Sequence, residues 1–307
     1  MNRIVGRVEA KWGRLRRAPY VSTREYLRAR AEGSDRIEGE YFSTLRLPGG
    51  VFKSTQAHRM DDALELLAKH LPSALGRPLR TLDVACSSGV STLELHSRLE
   101  GAGFECETVG TDLVLEVLLV EDETGAGLLL DASGHPLRVE LPHASLPWPP
   151  PRFDLAFRPL RVARATRYVW GTLAAARSAL SGSTSGCRVT RVPLTTGAID
   201  GVAGVSLEQE SIDRPRVEGR FDVVRAANIL NRDYFAEPDL QRMLARLVER
   251  VADGGLLLVL RTGAADRVNR GTLLRRTSGR PVVVERLNGG SEVESLALRS
   301  TADTSSR

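Results

Sequence analysis

The sequence predicts an α/β protein built on a doubly wound, mostly parallel sheet. Two observations predict it. Residues 79–99 read as an apolar strand, a small-residue loop and a helix in immediate succession, and residues 238–260 read as a helix, a glycine pair and a buried strand. At 307 residues the chain is longer than most single domains, yet one large α/β domain with an extension accommodates it. We divide it into an N-terminal helical extension (1–78), a main domain (79–299, with an insertion at about 113–188) and a disordered tail (300–307).

Within the extension, Ile4, Val8, Trp12 and Leu15 recur at helical spacing and predict an amphipathic helix packed on the main domain. Met60, Leu64, Leu67 and Leu71 form a cleaner helical stripe, stopped by Pro72 and followed by the Gly76-Arg77-Pro78 turn. Residues 79–86 (LRTLDVAC) then form the first strand, Ser87-Ser88-Gly89 turn the chain, and 90–99 form a helix. The second strand spans 104–110 and closes on Thr111-Asp112, completing a βαβ unit.

After Asp112 the runs 113–120, 127–130 and 136–141 surround an Asp131–Gly134 turn, which we read as a β-hairpin insertion. A long amphipathic helix follows the Trp148–Pro151 stretch, marked by Val162, Thr166, Val169, Leu173, Ala176 and Leu180. Residues 188–194 and 202–211 are candidate strands, and 220–226 is a clear apolar one. A helix begins at Pro238, with Leu240, Leu244, Leu247 and Val251 on one face, and Gly254-Gly255 end it before the strand 256–260. The runs 272–276, 281–286 and 293–298 predict an antiparallel hairpin at the C-terminal edge of the sheet.

Composition narrows the function. No apolar run approaches a bilayer-spanning length and no secretory leader pattern opens the sequence, so a cytoplasmic protein is expected. Cys86, Cys106 and Cys187 are far apart and the five histidines are scattered, which predicts buried, reduced thiols and no metal site. The net charge of +5 is concentrated: the first thirty residues carry nine basic and two acidic side chains. Such an arm suits phosphates of nucleic acid or lipid. However, Lys11, Lys53 and Lys69 are the only lysines, which points to a general arginine bias instead of a dedicated patch.

The loop Asp83-Val84-Ala85-Cys86-Ser87-Ser88-Gly89 is followed by Asp112, close to the spacing between a nucleotide-binding loop and the acid that holds a ribose diol. A dinucleotide fingerprint wants glycine at the positions of Ala85, Ser87 and Val90, and no Gly-Lys-Ser/Thr P-loop is present. A nucleoside cofactor without a phosphate fits better.

Leu82-Asp83-Val84-Ala85-Cys86-Ser87-Ser88-Gly89 resembles the first motif of class I S-adenosylmethionine-dependent methyltransferases, whose Rossmann-like fold matches the predicted sheet. That family commonly has three alternating glycines here, of which only Gly89 remains, and the Ala-Cys-Ser-Ser-Gly form is similar to that of chemoreceptor glutamate methyltransferases. Gly110-Thr111-Asp112, the strand Phe221–Ala227 and the late helix and strand follow in the family's order. The resemblance implies S-adenosylmethionine as cofactor, with Asp83 near the methionine ammonium and Ala85, Cys86, Ser87 and Gly89 along the carboxypropyl chain. It further implies Asp112 on the ribose, Glu210 beside the adenine, and Asn228 at the end of the fourth strand.

Methyl transfer requires positioning and, for a weakly acidic acceptor, a base. The polar cluster Asn228, Asn231, Arg232, Asp233 and Tyr234 supplies catalytic candidates, chiefly Asn228, Asn231 and Tyr234, and its sequence resembles the Arg-Asn-x-Leu-x-Tyr-Phe segment of the chemoreceptor enzymes. The expected acceptor is a small molecule or a protein side chain, and the insertion is expected to shape its site. Two alternatives stand: a non-catalytic S-adenosylmethionine-binding protein, and an RNA-directed methyltransferase using the basic arm. The acceptor and the oligomeric state are not specified by the sequence.

Overall fold

The computed structural model describes residues 20–47, 53, 58–72, 75–182, 186–216 and 219–300. In chain order its elements are α1 (Thr23–Glu32), α2 (Asp35–Thr44), α3 (Asp61–Lys69), β1 (Leu79–Val84), α4 (Val90–Gly101), β2 (Cys106–Asp112), β3 (Glu116–Glu121), β4 (Gly127–Leu130), β5 (Pro136–Leu141), β6 (Ala144–Pro147), α5 (Arg152–Phe157), α6 (Pro159–Leu180), β7 (Arg188–Pro193), β8 (Val205–Gln209), β9 (Phe221–Ala227), α7 (Glu237–Arg250), β10 (Val251–Thr262), β11 (Asn269–Thr277), β12 (Arg280–Leu287) and α8 (Glu294–Arg299). They form two units, one made of Met1–Ser54 and Glu116–Leu194, the other of Thr55–Leu115 and Thr195–Arg307. The segment 1–78 is therefore divided between them. The expected helix through Ile4, Val8, Trp12 and Leu15, and the tail after Ser300, lie outside the described residues; Ser300 itself is buried, its hydroxyl donating to the Leu296 carbonyl at 2.9 Å.

The second unit is a Rossmann-like sheet in the order β12-β11-β10-β9-β1-β2-β8. β1, β2, β8, β9 and β10 pair in parallel, while β11 and β12 close the edge as an antiparallel hairpin. Alternate residues of the central strands face opposite layers, which is why their sequences read as continuous apolar runs. Leu257 and Val259 pack with Leu240, Leu244 and Leu247 of α7, whereas Leu256, Leu258 and Leu260 pack with Leu64, Leu67 and Leu95 on the other side. The chain steps from β1 outward to β2 and β8, then returns to the other flank of β1 with β9. Ligands of open α/β sheets bind at such a reversal, beyond the carboxyl ends of the strands.

Two sequence expectations change here. Residues 293–298 form a helix, not a strand: Val293, Leu296 and Ala297 are buried at helical spacing, and the alternation of Leu296 with Leu298 hid it. Gly254-Gly255 do not separate α7 from its strand, because β10 starts at Val251 and the pair forms an irregularity within it. Gly254 has φ 80°, and a Cβ on Gly255 would lie 2.8 Å from the Asp222 carbonyl, so both positions need glycine.

In the first unit the insertion is larger than the expected hairpin, a five-stranded antiparallel sheet in the order β6-β5-β4-β3-β7. α6 covers it with Val162, Ala165, Val169 and Ala176 against Val120, Leu128, Leu130 and Val139. α1 starts at Ser22, whose hydroxyl accepts from Glu25 N, and stops at Gly33 in the left-handed region. The rings of Tyr26 in α1 and Tyr41 in α2 stack at 4.2 Å.

Candidate cofactor site

The loop between β1 and α4 carries left-handed backbone at alternate positions: Ala85 (φ 56°), Ser87 (φ 59°) and Gly89 (φ 84°). Only Gly89 is free of the steric cost that a Cβ brings in this region, about 1 kcal/mol or more per residue. The conformation is held from several sides. Cys86 N donates to Thr111 O at 2.9 Å, Thr196 N to Ser88 O at 2.8 Å, and Thr92 N and Leu93 N to Gly89 O at 3.1 and 3.0 Å, which starts α4.

Asp112, at the end of β2, ties the neighbouring strand to this loop. Its carboxylate accepts from Ser87 N at 2.8 Å and from Val114 N at 3.1 Å. The side chain is half-buried, so a hydrogen-bonded carboxylate stands beside the loop with one flank toward solvent. Gly110 makes room nearby: a Cβ there would lie 2.5 Å from Leu207 Cδ2 and 3.2 Å from Cys86 Sγ. Cys86 is buried against that glycine, so its thiol packs inward and only its backbone belongs to the loop surface. Of the other thiols, Cys106 is buried, with burial pushing its pKa up to about 11, whereas Cys187 is only half-buried.

Other predicted residues have different surroundings. Asp83 is buried and paired with Arg225 across the β1–β9 register, with Arg225 Nε and Nη2 donating at 2.9 and 2.7 Å and Thr92 Oγ1 at 2.6 Å. Its position is that of a counterion within the sheet, not of an exposed carboxylate offered to an ammonium. Glu210 is likewise engaged: Arg216 Nε donates to it at 2.7 Å and Arg250 Nη2 lies 3.3 Å away. These contacts anchor the end of β8. Asn231 is buried in a turn, accepting from Asp233 N at 3.1 Å and donating to Ile229 O at 3.3 Å. Tyr234 is exposed against Phe235, and Asp233 pairs with Arg261. These residues build the turn after β9 and do not converge on the loop.

Asn228 does stand at the carboxyl end of β9. It adopts φ 61°, its N–H donates to Leu260 O at 2.9 Å, and its Oδ1 accepts from Thr262 N at 2.7 Å, which fixes β9 to β10. Its Nδ2 is buried without a partner. Arg225 Nη1 and Arg59 Nε are among the other buried donors of this unit that lack a hydrogen-bond partner. Arg59 precedes α3, and its carbonyl accepts from Asn269 Nδ2 at 2.7 Å, while Asn269 Oδ1 accepts from Thr262 Oγ1 at 2.8 Å. Burial, then the charges of Arg267 and Arg225, hold the Arg59 guanidinium below its ordinary range, against the pull of Glu94. The sequence reading missed Arg59 and Arg225. An arginine in an otherwise apolar strand, facing an aspartate in the adjacent strand, was the available signal for the latter.

The carboxyl end of the sheet thus carries a carboxylate acceptor at Asp112, after β2, and an amide donor at Asn228, after β9. No protein-family model matches the chain, and no curated protein matches it. Among solved structures it is similar to an S-adenosylmethionine-dependent methyltransferase from Mesorhizobium loti (14% identity, 80% of this chain, 81% of that one, TM-score 0.34). It is also similar to the 1,6-didemethyltoxoflavin-N1-methyltransferase of Burkholderia thailandensis (14%, 85% and 73%, TM-score 0.33) and to the [4+2]-cyclase SpnF (14%, 67% and 47%, TM-score 0.30). The chain spans only 32% to 53% of the length of several of the structures that it matches, the cyclase among them. Likenesses this distant carry no argument on activity, and the fold assignment rests on the strand order itself.

Proposed function

We propose that the unit of Thr55–Leu115 and Thr195–Arg307 binds S-adenosylmethionine and that the chain transfers its methyl group to a small-molecule or protein acceptor. The observation that carries the reading is the hydrogen bond from Ser87 N to Asp112, which joins the alternating left-handed loop to an acid at the strand-order reversal. In this reading Asp112 accepts from the ribose hydroxyls, the backbone of Ala85–Gly89 lies along the aminocarboxypropyl chain, and Asn228 Nδ2 and Arg59 Nε serve its carboxylate. Asp83 acts through Arg225, neutralising it and setting its orientation beneath the loop. The buried donors Asn228 Nδ2 and Arg59 Nε, which lack partners, support a fit of the residues present to its anionic end.

When bound, S-adenosylmethionine supplies an electrophilic sulfonium methyl. The chain's contribution is to orient the reactants and exclude water, since in-line displacement needs no universal protein base. The engaged states of Asn231 and Asp233 favour acceptors that already carry a free lone pair, such as unprotonated aromatic amines, over those that need proton removal first. They also motivate the second reading, a cofactor-binding protein without transferase activity. Incubation with methyl-labelled S-adenosylmethionine and fractionated cell extract separates the two. Transfer predicts label on an acceptor together with accumulating S-adenosylhomocysteine, both lost in Asp112→Ala; tight cofactor binding with no labelled acceptor supports the second reading.

A further inference from the structure

The α5–α6 segment of the first unit presents a surface that neither its own core nor the cofactor site uses. α6 turns Val162, Ala165, Val169, Ala176 and Ala179 inward, so its apolar stripe is already satisfied. Yet Leu155, Phe157, Leu160 and Trp170 are 53%, 65%, 81% and 80% exposed. A single exposed apolar side chain is ordinary, but three around one helix junction with a fourth farther along the same helix call for a partner. At about 100° per residue, Leu160, Arg164, Arg167 and Trp170 share an arc of about 120° opposite the buried stripe.

The charge of this face is one-sided. Residues 152–180 contain Arg152, Arg158, Arg161, Arg164, Arg167 and Arg177, and Asp154 as their only acid. Asp154 is buried and bonded to Tyr20 and Arg158. Many surface arginines elsewhere are paired, as in Arg77–Asp222, Arg191–Glu116, Arg242–Asp213 and Arg286–Glu294, and those without an acidic partner, such as Arg28, Arg46 and Arg280, are scattered along the chain instead of grouped on one helix. Arg161, Arg164 and Arg167 are exposed with no acidic partner among the described residues.

We propose that this face docks the chain on an anionic lipid surface, with Leu155, Phe157 and Leu160 entering the headgroup boundary, Arg164 and Arg167 facing lipid phosphates and Arg161 flanking them. Protruding apolar tips, an arginine collar and a neighbouring tryptophan suit the interfacial zone of a bilayer. Leu155 and Leu160 offer no ring, leaving only Phe157 and Trp170, on different helices, for base stacking, which disfavours single-stranded nucleic acid. A second copy docking face to face would set arginines against arginines. Contact is interfacial, because no helix among the described residues is long and apolar enough to cross a membrane.

The test is co-sedimentation of the full chain with phosphatidylcholine vesicles, with and without phosphatidylserine, at low and high salt, alongside a single-stranded RNA titration. Binding is expected only to the phosphatidylserine vesicles and should weaken with salt. It should fall about 100-fold in the triple variant Arg161→Glu/Arg164→Glu/Arg167→Glu, and measurably in Leu160→Ser, whose charge is unchanged. Circular dichroism of both variants confirms that these exposed substitutions leave the fold intact. Absence of binding to anionic vesicles overturns the proposal, as does binding indifferent to Leu160→Ser and matched by RNA, which would mark a general polyanion surface.

Discussion

Each unit buries an arginine and a carboxylate in its interior, and the two solve the problem differently. In the Rossmann-like unit Arg225 and Asp83 face each other from adjacent strands and neutralise directly through two hydrogen bonds. In the antiparallel unit Arg138 donates to Val21 O, Ser145 Oγ and Thr44 Oγ1, while Glu140 accepts from Thr23 and Ser145, so hydroxyls and carbonyls stand between the charges. The first arrangement concentrates its electrostatics in one pair beneath the ligand loop. The second spreads them over α1, α2, β5 and β6 as a structural lock.

The comparison is broken first by removing each arginine. Arg225→Met leaves Asp83 as an uncompensated buried charge and should cost about 3–5 kcal/mol, with much of the loss recovered by adding Asp83→Leu. Arg138→Met should cost less, about 1–3 kcal/mol, because Glu140 keeps its hydroxyl and backbone donors. Urea unfolding measures both, and equal losses would remove the distinction. The next effect is on ligand. Arg59→Ala should weaken S-adenosylhomocysteine about tenfold and leave adenosine unchanged, since only the former carries a carboxylate. Titration with both compounds isolates that end of the site.

How much of this was legible in the sequence follows from where the partners lie. The loop and its separation from Asp112 were readable because they are local, within one βαβ unit. The pairing of Asp83 was not readable because its partner lies 142 residues away in another strand. The same holds for Glu210, which Arg250 approaches from the end of α7. Arg59 had no visible pattern around it and acquires meaning only from the fold. The insertion was underestimated because β6 is four residues long and β7 returns to β3 only after two helices.

Smaller effects sharpen the picture. Ala85→Gly and Ser87→Gly relieve left-handed strain and should each stabilise by about 1 kcal/mol, offset in part by greater unfolded-chain freedom. A rise in the thermal midpoint checks this; a fall would mean that the side chains make compensating contacts. The smallest effect is a slope. Burial raises the Glu140 carboxyl, against the attraction of Arg138, so the native state holds that proton more tightly than the unfolded chain. Its stability contribution is therefore complete below the ordinary glutamate value and is lost as pH rises through the raised one. Comparing urea midpoints of wild type and Glu140→Gln from pH 4 to 8 should show the difference moving against wild type as pH rises.

The central claim is that the Ala85–Gly89 loop and Asp112 form an adenosyl site, and calorimetric titration tests it most directly. S-adenosylmethionine, S-adenosylhomocysteine and NAD are titrated into wild type and Asp112→Ala. The account predicts binding of the two adenosyl compounds, no binding of NAD, and at least about a tenfold loss in the variant, as expected for removing a charged acceptor. Binding of NAD in preference, or adenosyl affinity indifferent to Asp112→Ala, would contradict it.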